Sequence, residues 1–414
     1  MMNKIKTLIL PKSHVLLKRL LYITGIFIKT LRRILIINLL IMVIIPYSVF
    51  IIPISGHSSL QNVEITHQFN KYDAYNYLED QIDLGNRIPG TQARKDCANY
   101  FIAEFQKIDP GFSYFSHNFT VLGVDCQNVL FKMNEQYKNI LILGAHYDSR
   151  AKATKDSSDP TSPVPGANDG ASGSAVLIEL ADIFYSNRDE LECQIWFLFF
   201  DAEDQGKDIA YGIKDWEWCE GSQKFVQDID NYYDTTTEHF DCMILLDMVG
   251  GGNLEFINEL NSRSSLLDEL FIIGRSLGYT DTFPQNPISQ AITDDHVAFN
   301  SLGIPTADLI IEFWGSSPSW PYHHTTEDNL DHISRDSLEI TGKTVEQFIY
   351  NNYYVYGTYH INYPWYDDYN PLSLEMIIFI IGIIAILGIS ILILNLNHRN
   401  NIKKLRELKD LNQD

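Results

Sequence analysis

Between residues 57 and 375 the chain alternates two apolar rhythms. "NILILGAHYDS", "CQIWFLFF" and "CMILLDMVG" are short, nearly continuous apolar runs bounded by polar residues, and they predict three buried strands. Residues 173–184 ("GSAVLIELADIF") space their apolar positions as one face of a helix, and residues 268–277 and 337–350 fit further helices. Strands taking turns with helices predict an α/β fold, a mostly parallel twisted sheet flanked by helices. Residues 152–165, "KATKDSSDPTSPVP", read as a polar loop.

Two stretches follow neither rhythm. Residues 34–56 and 376–397 carry no charge over 23 and 22 positions, each long enough to cross roughly 30 Å of hydrocarbon as a helix. Lys4, Lys6, Lys12, Lys18, Arg19, Lys29, Arg32 and Arg33 precede the first; Arg399, Lys403, Lys404, Arg406 and Lys409 follow the second. Positive flanks on the terminal sides predict a cell-membrane protein with two transmembrane helices in contact with lipid and both termini cytoplasmic. A cleaved signal peptide is the alternative for the first stretch, but its apolar length exceeds the usual ~7 to 15 residues of a signal core. The predicted organisation is a basic segment 1–33, a span 34–56, an extracytoplasmic domain 57–375 ending in a Tyr- and Asn-rich connector 351–371, a span 376–397 and a basic tail 398–414.

The formal charge of −22 is therefore more negative still in the exported part, a surface that repels phosphate backbones and argues against nucleic acid as a partner. Five cysteines without a CxxC leave at least one thiol unpaired. Asn118-Phe119-Thr120 is a glycosylation sequon.

The chemistry lies at the strand ends. "WFLFFDAEDQG" finishes an apolar run with Asp201, Glu203 and Asp204, and crowded carboxylates repel one another unless protonated or bridged by a cation. In an open α/β sheet, ligands bind beyond the carboxyl ends of the strands. There stand His146 and Asp148 after the first run, Glu203 and Asp204 after the second, and Asp247 after the third. With Asp169 of "GANDGASG" and His324 of "PYHHTTEDN" they form a set of imidazoles and carboxylates suited to zinc. A dication lowers the cost of keeping adjacent carboxylates ionised. Singly, Asp169 reads as a helix cap, Asp247 as a turn residue and His324 as a surface histidine; their joint occurrence at strand ends favours a site.

In this order "GAHYDSR", "PGANDGASG", "FFDAEDQG", "LLDMVG", "DDHVAFNSLGIP" and "HHTTEDNLDHIS" resemble the motifs of the family-28 zinc metallopeptidases, which comprise co-catalytic aminopeptidases and glutaminyl cyclases. The resemblance runs from residue 86 to residue 348. It implies that His146 and Asp247 hold one Zn2+, Asp204 and His324 another, and Asp169 bridges them. It makes Glu203 the general base and Asp148 a carboxylate that orients the ligands. Where many members have Glu-Glu this chain has Glu203-Asp204, and cyclases use one zinc with the same residues, so one or two ions are both open.

The implied reaction divides two ways. "HTTEDNL" resembles the peptidase form of the last motif and favours an aminopeptidase-like exopeptidase acting on peptide or protein N-termini. Asp294 of "DDH" resembles cyclases, where an acid at this place handles the substrate proton, while His323 stands where cyclases carry a Trp. A non-catalytic binding ectodomain is disfavoured because every ligand position is filled. His296 reads as a structural hydrogen-bonder, Trp216, Trp218, Trp314, Trp320 and Tyr322 as packing more than pocket lining, and Asp328 as a turn cap.

Overall fold

The computed structural model describes residues 66–315, 317–355, 365, 382, 388 and 390–404. The expected span 34–56 lies outside the described residues, as does much of 376–397. Among the described residues no helix is long and apolar enough to cross a membrane.

The three apolar runs are strands: β3 (Asn139–His146), β4 (Gln194–Phe200) and β5 (His239–Asp247). They follow β1 (Ser113–Val121) and β2 (Val124–Met133), and precede the short pair β6 (Asn258–Glu259) and β7 (Ser289–Gln290) and, last, β8 (Thr306–Ile310). Six of them form one sheet in the order β1-β2-β4-β3-β5-β8. β4-β3-β5-β8 are parallel, and β1 and β2 add an antiparallel hairpin at one edge. The hairpin turns on Leu122 and Gly123, both at positive φ, the two-residue geometry that matches strand twist. The sheet is thus mixed.

Strand alternation divides the core into two layers. Leu141, Leu143, Ile195, Phe197, Phe199, Ile244 and Leu246 face one side, where α1 (Lys71–Asp83), α2 (Gln92–Ile108), α3 (Ala171–Ser186), α5 (Ser264–Ser276) and α7 (Arg335–Tyr353) pack. Ile140, Ile142, Trp196, Leu198, Phe200, Met243 and Leu245 face the other, under α4 (Glu220–Asp228) and α6 (Asp295–Asn300). The expected helices 173–184, 268–277 and 337–350 correspond to α3, α5 and α7. Helix α3 sits so close to the sheet that a Cβ on Gly173 would fall 2.0 Å from the Leu246 carbonyl oxygen, so only glycine lets this helix start beside the end of β5. All five cysteines are buried free thiols.

Residues 351–353 of the expected connector belong to α7, and Trp365 is buried against Phe348. The Trp365 indole and Asn352 amide both donate to the buried Glu269 carboxyl of α5. Burial pushes Glu269 from 4.5 up to about 7, opposed by those hydrogen bonds. An acid raised on folding binds more protons in the native state, so its contribution is full below the unfolded value of 4.5 and is lost as pH rises toward 7. Glu269→Gln should therefore flatten the fall in stability across that window, by about 3 kcal/mol at most. Parallel urea titrations of the two proteins at pH 4.5 and pH 7.5 check it; an unchanged pH slope contradicts it.

Candidate metal centre

Beyond the carboxyl ends of β3, β4 and β5 the predicted residues come together. His146 closes β3; its Nε2 lies 3.1 Å from Asp169 Oδ1 and 3.1 Å from Asp247 Oδ1, at the end of β5. His324 Nε2 lies 2.9 Å from Asp204 Oδ1, after β4, and 3.8 Å from Asp169 Oδ2, just before α3. Two imidazole–carboxylate triads thus share Asp169, one oxygen turned to each. All of these side chains are buried.

The acids at the end of β4 separate because Ala202 adopts a left-handed φ of 64°. Asp201 turns back into the core, pairs with Arg94 Nε at 3.1 Å and accepts the backbone N–H of Gln127. Glu203 and Asp204 turn to the site. Met248 (just after Asp247), Cys219 and His324 itself also have positive φ, so four left-handed non-glycine residues punctuate the cluster.

Hydrogen bonds fix Asp169, Asp204 and His324 among the candidate ligands. Asp148 accepts the backbone N–H of Glu203 at 2.9 Å and of Asp204 at 3.3 Å, and its carboxylate lies 3.5 Å from His146 Nδ1. Asp328, read from sequence as a turn cap, accepts the backbone N–H groups of Asn168 and Asp169 and so holds the loop that carries the shared carboxylate. Three residues given no role from sequence belong here as well. Asp208 lies 2.5 Å from His324 Nδ1. The buried Arg150 guanidinium donates to Asp204 Oδ1, to the Asp204, Gly206 and Ala210 carbonyls and to Asp208. The Cys219 thiol donates to Glu203 Oε1 at 3.3 Å. Asp208 and Arg150 lie within or just after quoted motifs, but their partners are loop carbonyls and side chains whose meeting depends on the fold.

The electrostatics are those of a site built for a cation. Burial pushes Glu203 well above the carboxylate range, opposed by His146 and reinforced by Asp294, Asp204 and Asp295. Burial likewise pushes Asp294 up to about 7, with Asp247 adding to it, and raises Asp204 and Asp247. Against its burial, His146 is held well above the imidazole range by Asp247, Asp148 and Asp169. Asp169 Oδ2 and Asp204 Oδ2 are buried with no hydrogen-bond partner. Buried orphan carboxylate oxygens beside imidazole nitrogens, with the outer imidazole nitrogens turned to Asp148 and Asp208, are a donor set that fits zinc.

The cleft above these ligands has a volume of about 470 Å³. Glu203, Asp294, Lys155, Phe313, Trp314, His323 and Trp218 line it, Trp218 stacked on His324. The aromatic residues therefore divide: Trp218 and Trp314 face the cleft, while Trp216 and Trp320 are buried. His296 lies outside, its Nε2 3.0 Å from Glu259.

The sequence profile of Peptidase family M28 matches residues 128–349, which contain every candidate ligand named above. The chain belongs to peptidase family M28. Both reactions of the family occur among its relatives. It is 29% identical over 224 residues to aminopeptidase YwaD of Bacillus subtilis, covering 52% of this chain and 42% of that protein. It is 26% identical over 248 residues to the glutaminyl-peptide cyclotransferase of Bos taurus, covering 54% and 65%. The chain thus spans less than two thirds of these curated relatives' length. Among solved structures, a glutaminyl cyclase of Bacteroides thetaiotaomicron superimposes at TM-score 0.63 with 32% identity over 70% of this chain and 100% of that one. A leucine aminopeptidase precursor from the same organism superimposes at 0.62 with 33% identity and the same coverage. M28 enzymes are zinc-dependent, and the donor set fits that metal.

Removing zinc should leave an uncompensated set of buried acids. Dialysis against a chelator should lower the thermal midpoint, and stoichiometric zinc should restore it; an unchanged midpoint contradicts the assignment. Asp208→Asn should weaken zinc affinity roughly 10- to 100-fold without unfolding the chain, as read by competition with a chromophoric chelator.

Proposed function

We propose that the protein is a membrane-anchored, zinc-dependent exopeptidase of the aminopeptidase type. The pair of triads sharing Asp169 supports this reading, because it offers ligands for two ions side by side, the arrangement that suits hydrolysis of a peptide bond. Zinc held there by His146, Asp169, Asp204, Asp247 and His324 supplies Lewis-acid polarisation of a carbonyl and acidifies water.

The chain's own residues do the rest. Glu203 lines the cleft beside the ligands without belonging to either triad, so it is free to accept a proton from the attacking water and return it to the leaving amine. The Cys219 thiol and the Asp148 carboxylate fix its side chain and backbone respectively. Trp218, Trp314 and Phe313 give the cleft its aromatic lining.

A second reading, a glutaminyl cyclase closing N-terminal Gln to pyroglutamate with loss of ammonia, has its own support. The buried Asp294 carboxyl lies in one group with Glu203 and Cys219, ligand atoms within 4.8 Å of one another, and is raised toward neutrality where it can hold a proton. Against it, no indole precedes His324; His323 stands there, packed on Phe313 with ring centroids 4.2 Å apart.

The zinc-loaded protein should release leucine from leucinamide and should not form pyroglutamate from glutaminyl amides; the reverse would make it a cyclase. Glu203→Gln should lower kcat by roughly 100-fold or more while zinc stays bound, and a nearly normal rate in that variant would remove Glu203 as the base. Anchoring through residues 34–56 and 376–397, with the M28 domain outside, predicts retention in carbonate-washed membranes and protease sensitivity of the domain, but not of the termini, in intact cells. Release by carbonate would contradict it.

A further inference from the structure

The cleft that holds all this acid also contains a lysine that, among the described residues, makes direct ion-pair contact with none of it. Two lysines line it. Lys207 is exposed and lies over Tyr211. Lys155 is half-buried, and its ammonium donates to His323 Nδ1 at 2.6 Å and lies 5.7 Å from the centre of the Phe313 ring. Among the described residues no carboxylate lies within ion-pair distance of it, although Asp169, Glu203, Asp204, Asp208, Asp247 and Asp294 line the same cleft. A desolvated ammonium without an anion is costly, and an ammonium bonded only to a neutral ring nitrogen keeps donors to spare.

Its position is fixed rather than incidental. The Lys155 backbone N–H donates to the carbonyl of the ligand residue His324 at 3.1 Å. Next to it, Asp156 accepts both the N–H and the hydroxyl of Thr326. The polar loop 152–165 is thereby fastened at Lys155 and at Asp156 to the segment that carries His324. The His323 ring separates the ammonium from the shared ligand, its Nε2 3.8 Å from Asp169 Oδ2. Lys155 therefore sits about one imidazole ring beyond the metal ligands, the distance of a neighbouring residue of a bound peptide and not of the reacting carbonyl itself.

We propose that Lys155 is a specificity residue that pairs with a carboxylate carried by the substrate next to its reacting residue. The anion is either the terminal carboxylate of a dipeptide or the side chain of an acidic residue; both offer the same planar acceptor. The inference deepens the proposed enzymatic reading and rests on it for the identity of the substrate, a peptide.

Binding and turnover, measured separately, test the two apart. Full-length zinc-loaded Glu203→Gln protein in detergent is titrated calorimetrically with Leu-Ala against Leu-Ala-amide, for the terminal carboxylate, and with Leu-Glu-amide against Leu-Gln-amide, for the side chain. In at least one pair the carboxylate member should bind roughly tenfold or more tightly. Adding Lys155→Met should bring that ratio close to one, and Lys155→Arg should keep most of it. Equal affinity within both pairs, or a ratio that survives Lys155→Met, overturns the proposal. The same peptides are then offered to the protein with Glu203 intact: a carboxylate preference in binding without turnover would leave Lys155 in place and sink the enzymatic reading instead.

Discussion

The site is organised by a cost that the chain cannot meet alone: carboxylates taken out of water and placed within a few ångströms of each other. Asp169, Glu203, Asp204, Asp247 and Asp294 are all buried; burial pushes every one of them up, and with the neighbouring acids it raises all but Asp169 on balance. His146 and His324 offset part of this and hold Asp169 low despite its burial. Two imidazoles and the Arg150 guanidinium on Asp204 do not balance five acids, and the orphan oxygens of Asp169 and Asp204 mark where a cation fits.

The surrounding architecture keeps those groups from relaxing apart. Parallel strands β3, β4 and β5 deliver three carboxyl ends to one rim. Left-handed Ala202, Met248 and His324 then aim the side chains. Asp148, Asp208 and Asp328 fix ligands or their loops, and Arg150 and Arg87 tie down the returning segments, the Arg87 guanidinium donating to the carbonyls of Tyr147, Pro165 and Gly166. The strain at these backbone positions, Cys219 included, is sustained because these polar clamps and two apolar layers over-determine them.

What the sequence made legible follows from periodicity. β3, β4 and β5 are buried on both faces, so they read as continuous apolar runs, and their carboxyl ends point to the chemistry. The edge hairpin of β1 and β2 was invisible to that reading because β1 is half solvated and mixes Ser, His, Asn and Thr with its aromatics. β8, only five residues long, offered too short a run. Within the site, His146, Asp169, Asp204, Asp247 and His324 were accessible because their types announce metal chemistry. Arg150, Asp208, Cys219 and Lys155 act through partners 16 to 168 positions away, a relation that only the fold supplies. Asp328 reads as a turn cap for the same reason, its partners lying 159 and 160 positions away.

Anomalous scattering at the zinc edge from crystals of the zinc-loaded protein tests the central claim most directly. The account predicts one or two peaks, each about 2.0 to 2.2 Å from a His146 or His324 nitrogen and from an Asp169 oxygen. Zinc bound elsewhere, or a cluster that stays free of metal at saturating zinc with Asp169 and Asp204 still orphaned, would contradict it.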